Sequence, residues 1–142
     1  MFSSPVRDVM DKRKFLTAVP QTTVLEASQK MLAQKAGAVL VVEDHHLVGI
    51  FTERDAVFRV IAQGLDPQTT LLADVMTLSP RTIGPDQSFG YAMIQMHENG
   101  FRHMPVVEDG RPIGIVSARN ALDPDLEEFA SEAQRRKHLD AG

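Results

Sequence analysis

Two short segments of this 142-residue chain repeat the same chemistry, because each combines a hydroxyl residue, an arginine and a carboxylate or amide at the same spacing. The residues are Thr52, Arg54 and Asp55 in the first segment and Ser117, Arg119 and Asn120 in the second. Each segment lies where a strand is predicted to end and a helix to begin. A helix N-terminus attracts phosphate through its free N–H groups, and a guanidinium in the first turn adds a bidentate anion donor. An aspartate at the same edge can accept hydrogen bonds from two ribose hydroxyls, so the combination suits a nucleotide.

The same residues would also cap a helix. Thr52 and Ser117 are favourable N-cap residues, and Asp55 lies where the acid of a capping box would lie. Capping does not require an arginine at the same position of both segments, whereas anion binding would use one. The residues alone leave two interpretations open, a helix cap and a nucleotide site.

Both segments belong to a longer internal repeat. Residues 41–57 return 65 positions later as residues 106–122, with eight of seventeen positions identical. A repeat of this length that occurs twice indicates a duplicated small domain. Because a unit of roughly 60 residues buries too little surface to be comfortably stable alone, we expect the two copies to share an interface with two related clefts. The predicted boundaries are residues 5–65 for the first copy, 70–122 for the second and 123–142 for a C-terminal helical tail.

Hydrophobic periodicity predicts the same elements in both copies, namely a lead-in strand, a helix, a β-hairpin and a second helix. The first copy is expected to have a helix between Pro20 and Gly37, strands at 38–42 and 47–51, and a helix from about 53 to 63. The second is expected to have a helix at about 87–98, strands at 103–107 and 112–116, and a helix from Ala118. The predicted fold class is α/β (α+β), with two βαββα units. The tail is expected to be a helix that folds back on its own domain or a dimer-stabilising arm.

Composition argues against several classes of protein. A net charge of −4 does not suit nucleic-acid binding, which needs a basic surface. The longest apolar run is about five residues, Ala38–Val42, which is too short for a membrane span. The sequence has no cysteine and no signal-peptide pattern, so we expect a cytoplasmic location. His45 and His46 lack a third metal ligand, and no P-loop or nucleophile–base arrangement predicts an enzyme.

The order of elements and two motifs resemble a tandem pair of CBS domains, often called a Bateman module. The motifs are G-I-x-[T/S]-x-R-[D/N], at 49–55 and 114–120, and R-H-M-P-V-V at 102–107. The resemblance covers residues 5–122 and implies a pseudo-twofold pair with an adenosine-containing ligand in the clefts between the copies. The ligands that it implies are AMP, ADP, ATP, NAD(H) and S-adenosylmethionine. It also implies that Thr52 contacts phosphate and Asp55 contacts ribose, with Ser117 and Asn120 as their counterparts.

Further site residues follow from the same resemblance. The lead-in segments that line the clefts contain Thr17 and Ala18 in the first copy and Thr82 and Ile83 in the second. The hairpin strands that flank the base begin with Gly37 and Ala38 in the first copy and with His103, Met104 and Pro105 in the second. The candidate phosphate donors are Arg102, His103 and Arg119. His103 is equally compatible with an ordinary half-buried histidine that is bonded to backbone.

The two clefts are expected to differ. An ionised aspartate accepts hydrogen bonds only, whereas an asparagine has one acceptor oxygen and also donates. The cleft with Asp55 is therefore predicted to be the better adenosine site than the one with Asn120. Gly37 and Ala38 also stand where the second copy has Arg102 and His103, which gives the first copy a smoother wall.

Two functions remain open at this stage. The first is a stand-alone regulatory module without a covalent cofactor, which binds an adenine nucleotide and signals to a partner protein by conformational change. The second is a constitutive interaction module whose clefts have no functional ligand. A homodimer is expected in both cases.

Overall fold

The computed structural model describes residues 2–10 and 15–121, and the predicted tail at 123–142 lies outside them. The helices are α1 (Val6–Val9), α2 (Val24–Gln34), α3 (Glu53–Asp55), α4 (Leu72–Val75) and α5 (Phe89–Asn99). The strands are β1 (Leu16–Ala18), β2 (Ala38–Glu43), β3 (His46–Thr52), β4 (Thr77–Leu78), β5 (His103–Glu108) and β6 (Arg111–Ser117). A π-helical segment (Ala56–Ile61) continues α3, and a 3₁₀ turn (Ala118–Ala121) follows β6. The predicted mixed α/β class is confirmed.

Helix α2 shows how local sequence fixes the helices. The Thr23 side chain caps its start by accepting a hydrogen bond from the Glu26 N–H, and Lys35 ends it in a left-handed conformation. Its buried residues, Val24, Ala27 and Met31, recur at helical spacing, so one face packs on the sheet. Within residues 2–10 and 15–121, none of the helices combines the length and the apolar character that crossing a bilayer would require.

The two β-hairpins pair their strands in the same register. Ala38 pairs with Thr52 in the first hairpin, and His103 pairs with Ser117 in the second, each 65 positions later. Strand β1 lies parallel to β2, and the first sheet has the order β1-β2-β3-β4. In the second half, the lead-in contributes a single parallel bridge between Ile83 and Val106. The repeat detected in the sequence is therefore also a repeat of backbone pairing.

The short helices that precede the two lead-ins are exchanged between the halves. Helix α4 packs in the first core, where the Leu72 N–H donates to the Thr22 carbonyl, although α4 lies at the start of the second copy in sequence. Helix α1 packs in the second core, where the Val6 N–H donates to the Gln87 carbonyl. The first core consists of Leu16, Ala18, Val24, Ala27, Met31, Val39, Val41, Phe51, Val60, Leu72, Val75 and Met76. The second core consists of Val6, Ile83, Phe89, Ala92, Met96, Met104, Val106 and Val116.

The two halves share a third apolar cluster, as expected for units too small to be stable alone. It contains the buried residues Ala38, Leu40 and Ile50 of the first hairpin, and Ile115 of the second hairpin packs against them. Strands β3 and β6 thus meet at the interface. The Leu47 N–H adds a hydrogen bond of 3.1 Å to the Gly110 carbonyl.

Gly49 in β3 is required by the close approach of β4. A Cβ at this position would lie 2.5 Å from the Met76 Sδ and 3.1 Å from the Thr77 carbonyl oxygen. The Met76 side chain can move, but the backbone carbonyl belongs to the strand that closes the sheet. We expect Gly49→Ala to lower the free energy of unfolding by about 1–3 kcal/mol, as measured by denaturant titration. Gly84→Ala is the control, because its nearest neighbour would be 3.5 Å away; equal losses in both variants would contradict the steric argument.

Candidate functional site

The junction between β3 and α3 opens into a cleft of about 1000 Å³. Its lining residues come from both copies: Ile50, Thr52, Glu53, Arg54, Asp55, Val57, Phe58, Thr77, Ser79, Pro80, Arg81, Asn99, Gly100, Phe101, Arg102 and His103. Five of the residues predicted from the sequence are therefore brought together, namely Thr52, Arg54, Asp55, Arg102 and His103. The volume is at the upper end of the range of small-molecule sites.

Asp55 and Thr52 form a reciprocal capping box at the start of α3. The Thr52 N–H donates to Asp55 Oδ2 at 2.9 Å, and the Asp55 N–H donates to Thr52 Oγ1 at 3.2 Å. The second copy has half of this pattern, because the Ser117 N–H donates to Asn120 Oδ1 at 2.7 Å. The predicted cap is confirmed, and it holds the Asp55 carboxylate at the cleft wall with 13% of its side chain exposed.

Arg59 lies beside the site carboxylate, and the sequence analysis missed it. Its Nε lies 3.5 Å from Asp55 Oδ1, and its guanidinium donates to the carbonyls of Val75 and Met76 at 3.3 and 3.2 Å. The sequence feature that could have identified Arg59 is its four-residue spacing from Asp55, which places both side chains on one helix face. Arg59 thereby ties the site carboxylate to the end of α4.

The helix predicted at about 53–63 is present, but it is wound as a π-helix from Ala56 to Ile61. Single π turns are frequent at functional sites. Here the turn follows directly on the capping box and carries Phe58 at the cleft wall. The Arg54 guanidinium stacks over the Phe58 ring at 5.5 Å from its centroid, so the motif arginine lies on the outer wall of the cleft.

His103 lies half-buried at the start of β5, between the two copies. A Cβ on Gly37 would meet its Nε2 at 3.1 Å and the Glu53 Oε1 at 3.3 Å, so both polar groups pack over Gly37. Desolvation by burial is the largest influence and lowers the pKa of His103 below its ordinary value of 6.5. Glu53 opposes this effect, while Arg119 and Arg102 add to it.

The other predicted site residues lie outside the lining of this cleft. Ala18 belongs to the first core, Ile83 and Met104 to the second, and Ala38 to the interface cluster. Pro105 is buried, and Thr17 and Thr82 are exposed. Ser117, Arg119 and Asn120 lie at the equivalent strand–helix junction of the second copy. Their contacts with a ligand stay predictions.

The lowered pKa of His103 makes stability depend on pH. The folded chain binds this proton less readily than the unfolded chain, so the unfolded state takes up protons first as the pH falls. We expect the free energy of unfolding to decrease from about pH 6.5 downward until the pH passes below the pKa of the folded state. Denaturant titrations across this range should show a smaller decrease for His103→Gln. Parallel curves for the variant and the wild type would contradict the assignment.

Comparison with known families identifies the fold. The CBS domain model matches twice, at residues 6–62 and 72–125. The chain belongs to the CBS domain family. The predicted tandem CBS pair is confirmed. The first match includes the strand–helix junction at Thr52, and the second includes the one at Ser117.

Relatives and solved structures resemble this chain over most of its length. The chain is 38% identical over 135 residues to the meiotically up-regulated gene 70 protein of Schizosaccharomyces pombe, covering 87% of this chain and 18% of that protein. It thus spans about a fifth of that relative's length. A putative signal-transduction protein with CBS domains from Burkholderia ambifaria has a TM-score of 0.80 at 29% identity, covering 87% of this chain and 95% of the other. The CBS domain pair of protein MJ0100, solved with 5′-methylthioadenosine and S-adenosyl-L-methionine, has a TM-score of 0.74 at 26% identity, covering 83% and 96%.

Proposed function

We propose that this CBS pair is a regulatory module that binds an adenosine-containing ligand in the cleft beside Asp55 and signals to a partner protein. The observation that carries the proposal is the cleft itself, in which Thr52, Arg54 and Asp55 of one copy face Arg102 and His103 of the other. A site that is built from two copies responds to their relative arrangement. The CBS pair of MJ0100 supports the class of ligand, because it was solved with two adenosyl compounds.

Asp55 would hold the ribose. Its Oδ2 accepts two hydrogen bonds from Thr52, and its Oδ1 faces Arg59 at 3.5 Å. A carboxylate has about four acceptor positions, so Oδ1 keeps room for ribose hydroxyls. Because the capping box and Arg59 already fix the carboxylate, ribose binding costs little ordering of this side chain.

Arginines dominate the charge of the cleft wall. Arg54, Arg81 and Arg102 line it together with the carboxylates of Glu53 and Asp55. A guanidinium binds phosphate or carboxylate in a bidentate manner. The wall therefore favours a ligand that carries an anionic group beyond its nucleoside.

Ligand binding would act on the partner by selecting one arrangement of the two copies. The ligand can shift this equilibrium only by as much as its affinities for the two arrangements differ. The partner protein and the cytoplasmic location are part of the proposal. A homodimer is also part of the proposal, because apolar side chains such as Leu32 (80% exposed) and Ile61 (71%) lie uncovered on helices of a single chain.

A thermal-shift panel tests the proposal with AMP, ADP, ATP, NAD, NADH and S-adenosylmethionine. A ligand at 100 times its dissociation constant stabilises the folded state by about 2.7 kcal/mol. This stabilisation should raise the midpoint by a few degrees or more in a domain of this size. Asp55→Ala should abolish the shift. The absence of any shift in the wild type, after refolding to remove ligand carried over from expression, would contradict the proposal.

The exposed apolar residues also support a second candidate, a constitutive interaction module. Val57, Phe58 and Ile61 are 49–71% exposed on one π-helical turn. This candidate predicts a stable dimer whose dissociation constant, measured by analytical ultracentrifugation, does not change with any nucleotide in the panel. A nucleotide-dependent change would reject it.

A further inference from the structure

Glu53 and His103 are polar groups of the cleft that lie outside the capping box of α3. Within residues 2–10 and 15–121, neither the Glu53 carboxylate nor the His103 ring takes part in a hydrogen bond. Their nearest atoms, Oε1 and Nε2, converge over Gly37, at 3.3 and 3.1 Å from the position a Cβ would take there. Because residue 37 has no side chain, the two groups fit together in one corner of the cleft, and both line it.

This corner combines residues of both copies, and the repeat does not reproduce it. In the repeat, Ala118 stands at the position of Glu53, and Ala38 stands at the position of His103. At the start of the 3₁₀ turn after β6, the Ala118 N–H donates to the Arg102 carbonyl at 2.9 Å, as the Glu53 N–H does to the Gly37 carbonyl in the first copy. This backbone hydrogen bond forms although residue 118 has no carboxylate. The strand–helix junction therefore forms without this pair of side chains, which leaves both groups available to a ligand.

The corner offers hydrogen-bond acceptors. Two backbone donors in the first turn of α3 are already used, because the Glu53 N–H donates to the Gly37 carbonyl at 3.0 Å and the Asp55 N–H donates to Thr52 Oγ1. An ionised glutamate only accepts, and a neutral histidine has one accepting ring nitrogen. His103 is neutral near pH 7, since burial lowers its pKa. A phosphate placed here would face Glu53, whereas an amine would find two acceptors.

We propose that Glu53 and His103 form a subsite for an amino group on the 5′ substituent of an adenosyl ligand. This inference rests on the proposed function, in which Asp55 holds the ribose, and on the predicted contact of Thr52 with phosphate, which would place Thr52 at the 5′ end of the ligand. Arg102 lines the same cleft next to His103 and provides a partner for a carboxylate on the same substituent. The ligand class is an adenosyl amino acid, and a nucleoside polyphosphate binds less well at this site.

Isothermal titration of the full chain tests the subsite with two compounds that differ at one group. They are S-adenosylhomocysteine and its analogue with a hydroxyl in place of the amine. A charge-assisted hydrogen bond corresponds to about a tenfold or greater difference in dissociation constant, so we expect the amine to bind at least about tenfold more tightly. Glu53→Gln should remove most of this preference and raise the affinity for ATP. All titrations contain EDTA, because a carboxylate and an imidazole could also hold a metal ion.

The control is Glu26→Gln, which removes an exposed carboxylate in the first turn of α2, away from the lining of the cleft, and should leave the preference unchanged. Glu53→Ala gives the first copy the residue of the second copy and should act as Glu53→Gln does.

If AMP and S-adenosylhomocysteine bind and Asp55→Ala abolishes the binding of both, but the amine has no advantage, the subsite is rejected while the proposed function stands. If no adenosyl compound binds the wild type, the proposed function fails and the subsite fails with it.

Discussion

Asp55→Ala is expected to weaken binding of adenosine-containing ligands by about 100-fold or more. Two ribose hydroxyls that donate to a carboxylate form two charge-assisted hydrogen bonds, at about 1.5–3 kcal/mol each. The variant also removes the acceptor of the Thr52 N–H and the partner of Arg59. Loss of the cap should lower the free energy of unfolding by about 1 kcal/mol. The dissociation constant is measured by isothermal titration below the unfolding transition of both proteins.

Asp55→Asn separates the two roles of this residue. An amide oxygen can still accept from the Thr52 N–H, as Asn120 Oδ1 does from Ser117 in the second copy at 2.7 Å. We expect the asparagine variant to keep most of the stability and to lose most of the affinity, since it removes the negative charge and adds donors. An asparagine variant with wild-type affinity would show that ribose does not bind Asp55.

Leu72→Ala is expected to have the largest effect on stability, about 2–5 kcal/mol. Leu72 is fully buried in the first core, and its N–H and that of Ala73 bond to the carbonyls of Thr22 and Pro20. Although Leu72 belongs to the second copy in sequence, the damage should appear in the first half. Native-state hydrogen exchange should show faster local opening of β2 and β3 than of β5 and β6.

Val6→Ala is the corresponding test of the second core. Val6 is fully buried in the second core, so its truncation should speed exchange in β5 and β6 instead, with a loss of about 2 kcal/mol. If both variants accelerated exchange in the half that follows each residue in sequence, the exchanged packing of α1 and α4 would be wrong.

Much of the site could be predicted because its positions repeat. The spacing of Thr52 and Asp55, a strand end followed by a helix start, predicted the capping box that the structure contains. Arg59 was missed although its spacing from Asp55 is visible in sequence, because its hydrogen bonds to the Val75 and Met76 carbonyls join segments 16 and 17 residues apart. Glu53 was missed because it has no counterpart in the repeat, where residue 118 is alanine.

The sequence by itself determined the duplicated unit, the two hairpins and the cap at Thr52, because these depend on periodicity and on bonds between residues close along the chain. Only the tertiary structure decided which core each short helix joins. Helices α1 and α4 are four residues long, and each ends in a valine that is followed by a methionine. This short apolar pattern fits either copy equally well in sequence. The choice depends on long-range packing, in which Leu72 and Val6 are buried on opposite halves. The same packing brings His103 over Gly37 beside Glu53, a contact between residues that no local pattern connects.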